Sequence, residues 1–380
     1  MNFGLSDEQR MLRESVIKFM DRECPRELIR ELEKKRQAPP GLLKKMAALG
    51  WTAIPFPRRY QGLEGDFMDV AVILEEFGRL GFIAASVYNR AVLFGGMSIL
   101  TSGSEEQKQR LLPRVCQGEV TFALALSEPE AGSDAANVQT KAAPQGDGYL
   151  INGHKTWITG ADVADYLIVP CRTDPGAPKQ EGITNFLVER SSPGVEIRAL
   201  DKVGNNLVNA CEIYLDGVEV PQENMLGGLN QGFGNILKTL KYSRMGLAAS
   251  ATGTAQAAVD DALRYAKERV QFGRPIGKFQ VIRHRLAEMQ MKVEASRLMA
   301  RQAAWLVSQG LPCERETAMA KVMATETLQE VSGQGMQILG AYGYSTEFDM
   351  QRYWRDGRLY TVGEGTTEIQ KEIIARTLGL

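Results

Sequence analysis

Histidine is nearly absent from this chain and cysteine is scattered, and both facts narrow the chemistry. Of 380 residues only His154 and His284 are histidines, too few for a histidine-built metal centre and a poor basis for a Ser-His-Asp triad. The five cysteines (Cys24, Cys116, Cys171, Cys211, Cys313) lie far apart and form no C-x-x-C pair. Their odd number and scatter favour reduced thiols over a disulfide framework or a zinc site. There is no basic surplus, with 45 Lys and Arg against 46 Asp and Glu. Nucleic acid and anionic membranes are therefore not expected as partners. No uninterrupted apolar run reaches the ~18 residues of a membrane span. The first ten residues lack the charged start and apolar run of a signal peptide, so a cytoplasmic protein is expected, or an organellar one after removal of a transit peptide. Neither a Walker A motif nor G-x-G-x-x-G occurs, which disfavours P-loop and Rossmann enzymes. Acid–base work is left to carboxylates.

What is present divides the chain into three textures, with expected boundaries at 1–120, 121–228 and 229–380. The first reads as helix. Ser6 and Gln9 form a capping-box pattern, Ser104-Glu105-Glu106-Gln107 repeats it, and Val70, Ile73 and Phe77 recur at helical spacing. From Val120 to Leu226 short apolar runs such as Tyr149–Asn152, Tyr166–Val169, Asn185–Val188 and Glu212–Leu215 alternate with Gly/Pro/Asp turns. Strands this short and regular suggest an antiparallel barrel-like or sandwich domain. Helix returns after Gly228. Ile282, Leu286, Met289 and Val293 form one apolar stripe suited to a bundle, and Met319, Val322 and Met323 suggest the start of a similar face.

Four segments carry chemistry. In Val362-Gly363-Glu364-Gly365-Thr366 a lone carboxylate sits between glycines, before a helix, where a ligand can approach the backbone closely. In Leu126-Ser127-Glu128-Pro129-Glu130-Ala131-Gly132-Ser133-Asp134, small residues and hydroxyls in a turn leave backbone N–H groups and Ser127 free for polar ligand atoms. In Lys155-Thr156-Trp157-Ile158-Thr159-Gly160, Trp157 and Thr159 are two apart on a strand and share a face, a flat aromatic beside a hydroxyl. Arg269 to Gln280 breaks two helices with glycines, a proline and cations, a plausible cradle for a pyrophosphate. Each has a bland reading as a turn, a core tryptophan or a solvated loop.

Together with Gln337-Ile338-Leu339-Gly340-Ala341-Tyr342-Gly343-Tyr344 and Arg355-Asp356, these segments resemble the acyl-CoA dehydrogenase family, in its order and spacing over essentially the whole chain. The resemblance implies a helical N-terminal domain, a central antiparallel β-barrel-like domain and a C-terminal four-helix bundle. It also implies bound FAD, a homotetramer, an acyl-CoA substrate and re-oxidation by an electron-transferring flavoprotein. Leu126, Ser127, Trp157 and Thr159 are implied around the isoalloxazine. Arg269, Phe272 and Gln280, with Gln337, Gly340 and Ala341 from a neighbouring subunit, are implied on the ADP side, and Thr366 and Glu368 are also implied to touch FAD. Ser133, Tyr242, Arg244 and Gly365 are implied to contact acyl-CoA.

Glu364 is the expected base, taking the α-proton while flavin N5 accepts the β-hydride, to give the trans-2-enoyl-CoA. No side chain accepts hydride, so a cofactor is required. Family members that relocate the base place it just before the arginine matched by Arg244, and Ser243 stands there. Two departures are visible. Pro57-Arg58-Arg59-Tyr60-Gln61-Gly62 replaces an acidic turn, and Ala341 replaces a common glycine, which would tighten the FAD contact. The helix Ser86–Leu93 resembles the one closing the far end of the acyl pocket. Its Arg90 needs a partner if buried, either a local acid such as Glu75 or Glu76 or a polar group on the substrate; otherwise its head faces solvent. The alternatives are a dehydrogenase of carrier-protein-bound acyl groups, an acyl-CoA oxidase (disfavoured by length) and a flavin-bearing scaffold without turnover.

Overall fold

Residues 4–380 are described here from a computed structural model, so Met1 to Phe3 of the N-terminal segment lie outside it. Seven helices come first: α1 (Asp7–Glu23), α2 (Arg26–Lys35), α3 (Leu42–Ala48), α4 (Phe67–Gly78), α5 (Phe82–Tyr88), α6 (Met97–Ser102) and α7 (Glu105–Cys116). Both expected capping boxes form. Ser6 Oγ accepts from Gln9 N at 3.1 Å, and Ser104 Oγ accepts from Gln107 N at 3.2 Å. A π-helix, Asn89–Gly96, joins α5 to α6. The run 82–102 is long and apolar enough to cross a membrane, but 89% of its most apolar window is buried inside the protein, so it is built as a core helix.

Eight strands follow: β1 (Phe122–Leu124), β2 (Lys141–Gln145), β3 (Gly148–Thr159), β4 (Tyr166–Arg172), β5 (Ile183–Glu189), β6 (Val195–Leu200), β7 (Ala210–Pro221) and β8 (Met225–Leu226). They make one sheet ordered β6-β7-β3-β2-β4-β5-β8, with β1 beside β4. Most pairings are antiparallel, but β1–β4 and β2–β4 are parallel. The sheet is therefore mixed, not purely antiparallel as the alternation suggested; period-2 patterning reports faces, not strand direction.

Helices α8 (Gly232–Glu268), α9 (Gln280–Ser308) and α10 (Glu314–Leu339) then pack with α13 (Thr367–Thr377) as a bundle. Strands β9 (Val270–Gln271) and β10 (Arg274–Pro275) form a hairpin between α8 and α9, and α11 (Ala341–Tyr344) and α12 (Met350–Tyr360) lie between α10 and α13. The helices at the two ends of the chain share one continuous core, in which Val70, Ile73 and Phe77 of α4 join Met289 and Val293 of α9. The sheet has a core of its own. On α10 the expected apolar face is misplaced. Met319 is exposed, and the inward face carries Ala318, Lys321, Ala324, Thr325 and Leu328.

The Arg355-Asp356 motif ties these parts together. Asp356 Oδ1 accepts from Asn205 N at 2.6 Å, Arg355 Nη1 donates to Val203 O at 3.0 Å, and Arg355 pairs with Glu33 of α2. One turn of α12 thus binds a loop of the sheet and an N-terminal helix. All five cysteines are buried and unbridged.

Candidate active site

Two successive residues after α12 carry positive φ: Glu364 at 59° and Gly365 at 87°. Glycine takes this conformation freely, but a glutamate does so at a cost of about 1–2 kcal/mol. Such outliers persist where the surroundings over-determine them, and here they do. Gln370 of α13, fully buried, donates its amide to Glu364 O at 3.0 Å and Gly365 O at 3.2 Å. Lys321 of α10, also fully buried, donates to Gly365 O at 2.9 Å. A Cβ on Gly365 would lie 2.7 Å from the Gln370 amide. Thr366 closes the loop as the N-cap of α13, accepting from Ile369 N at 3.4 Å.

The strained turn holds the carboxylate in the interior. Glu364 Oε2 is buried and makes no hydrogen bond. Burial pushes its pKa up, while Ser243, Lys321 and Arg244 each pull it back. Arg244 is itself buried, with its Nε unpartnered, and burial lowers its pKa against the attraction of Glu364. Lys321 is lowered by burial to about 8, with Glu364 opposing the shift. The expected Glu364, Arg244 and Gly365 are thus brought together, with Ser243 and Tyr242 adjacent on α8. Tyr242 stacks on Phe67 with centroids 5.1 Å apart. Lys321 and Gln370 were missed by sequence reasoning. The available signal for Lys321 was a single cation in the small and apolar run Ala318-Met319-Ala320-Lys321-Val322-Met323-Ala324.

A second group forms at the end of β3. Between Lys155 and Ile158 the register against β7 slips by one residue, a bulge of the kind common beside active sites. Trp157 sits in it with φ 60° and is 59% exposed. Ile158 packs in the sheet core and Thr159 beyond it is half-buried; the bulge interrupts the strict alternation from which a common face of Trp157 and Thr159 was expected. Thr156 N donates to Ser127 O at 3.0 Å, which brings Leu126 and Ser127 alongside. Beneath them Lys155 is fully buried against Glu128 at 2.8 Å and Pro170 O at 2.8 Å. Glu128 also accepts from Thr140 N and Gln139 N. This ion pair, which the sequence did not announce, pins the 125–134 loop to the strand. Ser133 stands exposed on that loop, away from these contacts.

The third group is on the surface. Phe272 and Gly273 form the two-residue tip of the β9–β10 hairpin with φ 52° and 76°, and Phe272 is 93% exposed. Two positive φ angles fit a type I′ hairpin turn, but an aromatic at the first of them is strained. The Arg269 guanidinium lies 5.8 Å from the Tyr342 ring centroid, so the hairpin and the Gly340–Tyr342 corner make one patch of one chain. Gln280, Gln337, Gly340, Ala341 and Glu368 are exposed. Gly340 takes φ 63°, whereas Ala341 begins α11 in ordinary helical backbone, so the alanine fits there without backbone strain.

Three family models match consecutive parts of the chain: the acyl-CoA dehydrogenase N-terminal domain at residues 6–119, the middle domain at 123–218 and the C-terminal domain at 230–379. The chain belongs to the acyl-CoA dehydrogenase family. It is 41% identical to a probable acyl-CoA dehydrogenase, YngJ, of Bacillus subtilis over 100% of both chains. It is 37% identical to the caffeyl-CoA reductase–Etf complex subunit CarC of Acetobacterium woodii over 98% of each. Among solved structures, butyryl-CoA dehydrogenase from Megasphaera elsdenii superposes with a TM-score of 0.96 at 34% identity, covering 100% of both chains. The prolyl acyl carrier protein oxidase AnaB superposes at 0.92 with 30% identity, covering 99% of this chain and 100% of that one. Length alone therefore does not separate dehydrogenases from oxidases in this fold. As a family member the chain is a flavin-dependent oxidoreductase that takes FAD. Its residues fit that group: the exposed indole of Trp157, held out by a bulge on the strand that carries Thr159 and next to the loop that carries Ser127, suits a flat heteroaromatic ring, and Arg269 offers a cation for a phosphate.

Proposed function

We propose that this protein dehydrogenates an acyl thioester between its α and β carbons, with Glu364 as the base. The observation that carries the reading is Glu364: half-buried as a residue, with its Oε2 buried and without a hydrogen-bond partner, and raised in pKa by burial. An α-proton beside a thioester is only weakly acidic, so its acceptor must be positioned and made more basic than a solvated glutamate. FAD, when bound, supplies the hydride acceptor that no side chain provides. Trp157, Thr159, Leu126 and Ser127 are the residues proposed to hold its ring. Arg269, Phe272 and Gln280, with Gln337, Gly340 and Ala341 from a neighbouring subunit, are proposed for its ADP end, and Thr366 and Glu368 are also proposed to touch FAD. Tyr242, Arg244, Ser133 and Gly365 are assigned to the thioester. Arg244 and Lys321 keep two positive charges near Glu364, favouring its ionised form before the proton is taken.

The surface supports the remaining parts of this reading. Met291, Leu298 and Trp305 are exposed at seven-residue intervals on α9, an apolar stripe that suits self-association and agrees with a homotetramer. An electron-transferring flavoprotein is the proposed electron acceptor, in keeping with a relative named as part of an Etf complex. That relative is also named a reductase, which supports the reverse direction as a second reading. In that direction Glu364, protonated, returns its proton to the α-carbon. A cytoplasmic location completes the proposal.

The test is Glu364→Gln, close to isosteric with the native residue. Under anaerobic conditions the variant should keep its yellow flavin and lose bleaching by acyl-CoA by at least ~10²-fold, the lower range for a positioned base. Bleaching at a near-normal rate would remove Glu364 from the role.

A further inference from the structure

Arg90 is a buried cation without a carboxylate. It is 7% exposed and lies in the π-helix Asn89–Gly96 with the fully buried Ala91, Val92 and Leu93. Among the described residues no ion pair involves it. Glu75 pairs with Arg297 at 2.7 Å, and Glu76 with Arg13 at 2.6 Å. Asp162, the acid whose field does reach Arg90, is half-buried and accepts from Asn209 at 2.7 Å. Burial lowers the pKa of Arg90 to about 10, so the guanidinium is charged at neutral pH. A buried charge this poorly compensated is costly, and it acts on whatever lies near it.

What lies near it is the end of β3. Arg90 Nη1 donates its one hydrogen bond to Gly160 O at 3.4 Å, and its Nε is buried with no partner. A Cβ on Gly160 would stand 2.4 Å from Arg90 Nη1 and 2.6 Å from its Cζ, so the guanidinium lies against bare main chain. Gly160 takes φ 67°, and its N–H donates to Asn209 O at 2.7 Å. A side chain at position 160 is therefore refused twice, by the backbone conformation and by Arg90. Gly160 directly follows Thr159, and Trp157 stands three residues back in the β3 bulge. The cation and two of the residues proposed for the flavin ring share one short stretch of backbone.

We propose that Arg90 tunes the flavin: its charge, set against the end of β3, favours the reduced cofactor over the oxidised one and so raises the reduction potential of the site. The inference rests on the placement of the ring beside Trp157 and Thr159 above. A hydride brings two electrons and one proton from the β-carbon, so its arrival adds one negative charge at the cofactor, while the α-proton goes to Glu364. Charge beside the ring is one of the levers by which a protein sets flavin chemistry. A cation in a poorly screened interior stabilises the added charge. Asp162 is half-buried and partly screened by water, so it offsets Arg90 only in part.

The test measures the midpoint potential of the flavin-loaded protein without substrate, by anaerobic reductive titration against a dye of known potential. Arg90→Met and Arg90→Gln remove the charge, the second keeping a donor for Gly160 O, and Arg90→Lys keeps the charge on a different shape. Both neutral variants should lower the reduced-to-oxidised ratio at a fixed potential by about tenfold or more, a shift of ~30 mV for a two-electron couple. Arg90→Lys should lower it by less than about threefold, since its charge remains. Unchanged potentials in the neutral variants, or an equal fall in Arg90→Lys, would overturn the proposal. Release of flavin by both neutral variants would make Arg90 a prop for β3, not a tuner, and would overturn it as well. Trp157→Leu, run alongside, checks the place of the ring: flavin fluorescence should rise when the indole beside it is removed. Flavin fluorescence and absorption both unchanged in Trp157→Leu would defeat the ring placement itself, whereas a rise there with unchanged potentials in the Arg90 variants removes the tuning alone.

Discussion

Glu364 and Trp157 stand at nearly the same positive φ, 59° and 60°, and are held there in opposite ways. Around Glu364 the chain supplies everything: two fully buried side chains from α10 and α13 grip the backbone, and the carboxylate turns inward beside Ser243, Arg244 and Lys321. Around Trp157 the backbone is fixed from beneath by a sheet bulge and a buried Lys155–Glu128 pair, but the indole itself is thrust outward. The Phe272 tip repeats that exposed pattern. The comparison separates two tasks. On the proposed reading Glu364 is a base that must be preorganised before substrate arrives, and one chain builds its surroundings completely. On the same reading Trp157 offers an open aromatic surface to a flat cofactor, and the chain fixes only its foundation.

Breaking the foundation gives the largest expected effect. Lys155→Met leaves Glu128 buried and unpaired, a loss of about 3–5 kcal/mol measurable by urea unfolding. A loss under ~1 kcal/mol would mean the pair does not support the bulge. Next, Arg269→Ala should weaken FAD by roughly tenfold or more, since it removes a charge-assisted contact. Flavin absorbance per subunit after gel filtration reads this out. Because the base is built elsewhere, excess FAD should restore the bleaching rate, and a rate that stayed low would tie Arg269 to the interior site.

Lys321→Met sharpens the interior half with a smaller effect. Bleaching should rise with pH as Glu364 ionises, at a midpoint above the ordinary glutamate value of 4.5. Lys321 is one of the groups holding that midpoint down, so removing it should move the midpoint up. Stability has its own sign. The folded lysine titrates at about 8 against 10.5 for an exposed one, so the cost of burying its charge is present below pH 8 and relieved between 8 and 10.5. Wild type should therefore gain stability relative to Lys321→Met across that window. Parallel profiles for both proteins would show that Lys321 does not act on Glu364 through its charge.

The same contrast explains what the sequence disclosed. Caps, strand runs and the apolar faces of α4 and α9 were legible because their signals are local and periodic. The face of α10 was not, because its buried members include Lys321, Thr317 and Thr325, which an apolar pattern passes over. Parallel pairing of β4 with β1 and β2 is a long-range choice that alternation does not encode. Glu364 itself was visible through its flanking glycines, although the positive φ falls on the glutamate and Gly365 and not on Gly363. Its bracing by Gln370 and Lys321 depends on how α10 and α13 dock, which only the fold reveals. Arg90 was visible as a cation in an apolar helix, yet only the fold shows that Glu75 pairs with Arg297 and Glu76 with Arg13, leaving Arg90 a single long hydrogen bond to Gly160 O.

The central claim is that Glu364 removes the α-proton from a site the chain builds by itself. An acyl-CoA with sulfur in place of the β-carbon isolates that step, since it can lose an α-proton but no β-hydride. Its α-position, followed by mass spectrometry in deuterium oxide, should take up deuterium on the wild-type enzyme and at least ~10²-fold more slowly on Glu364→Gln. Equal uptake on both proteins would contradict the account.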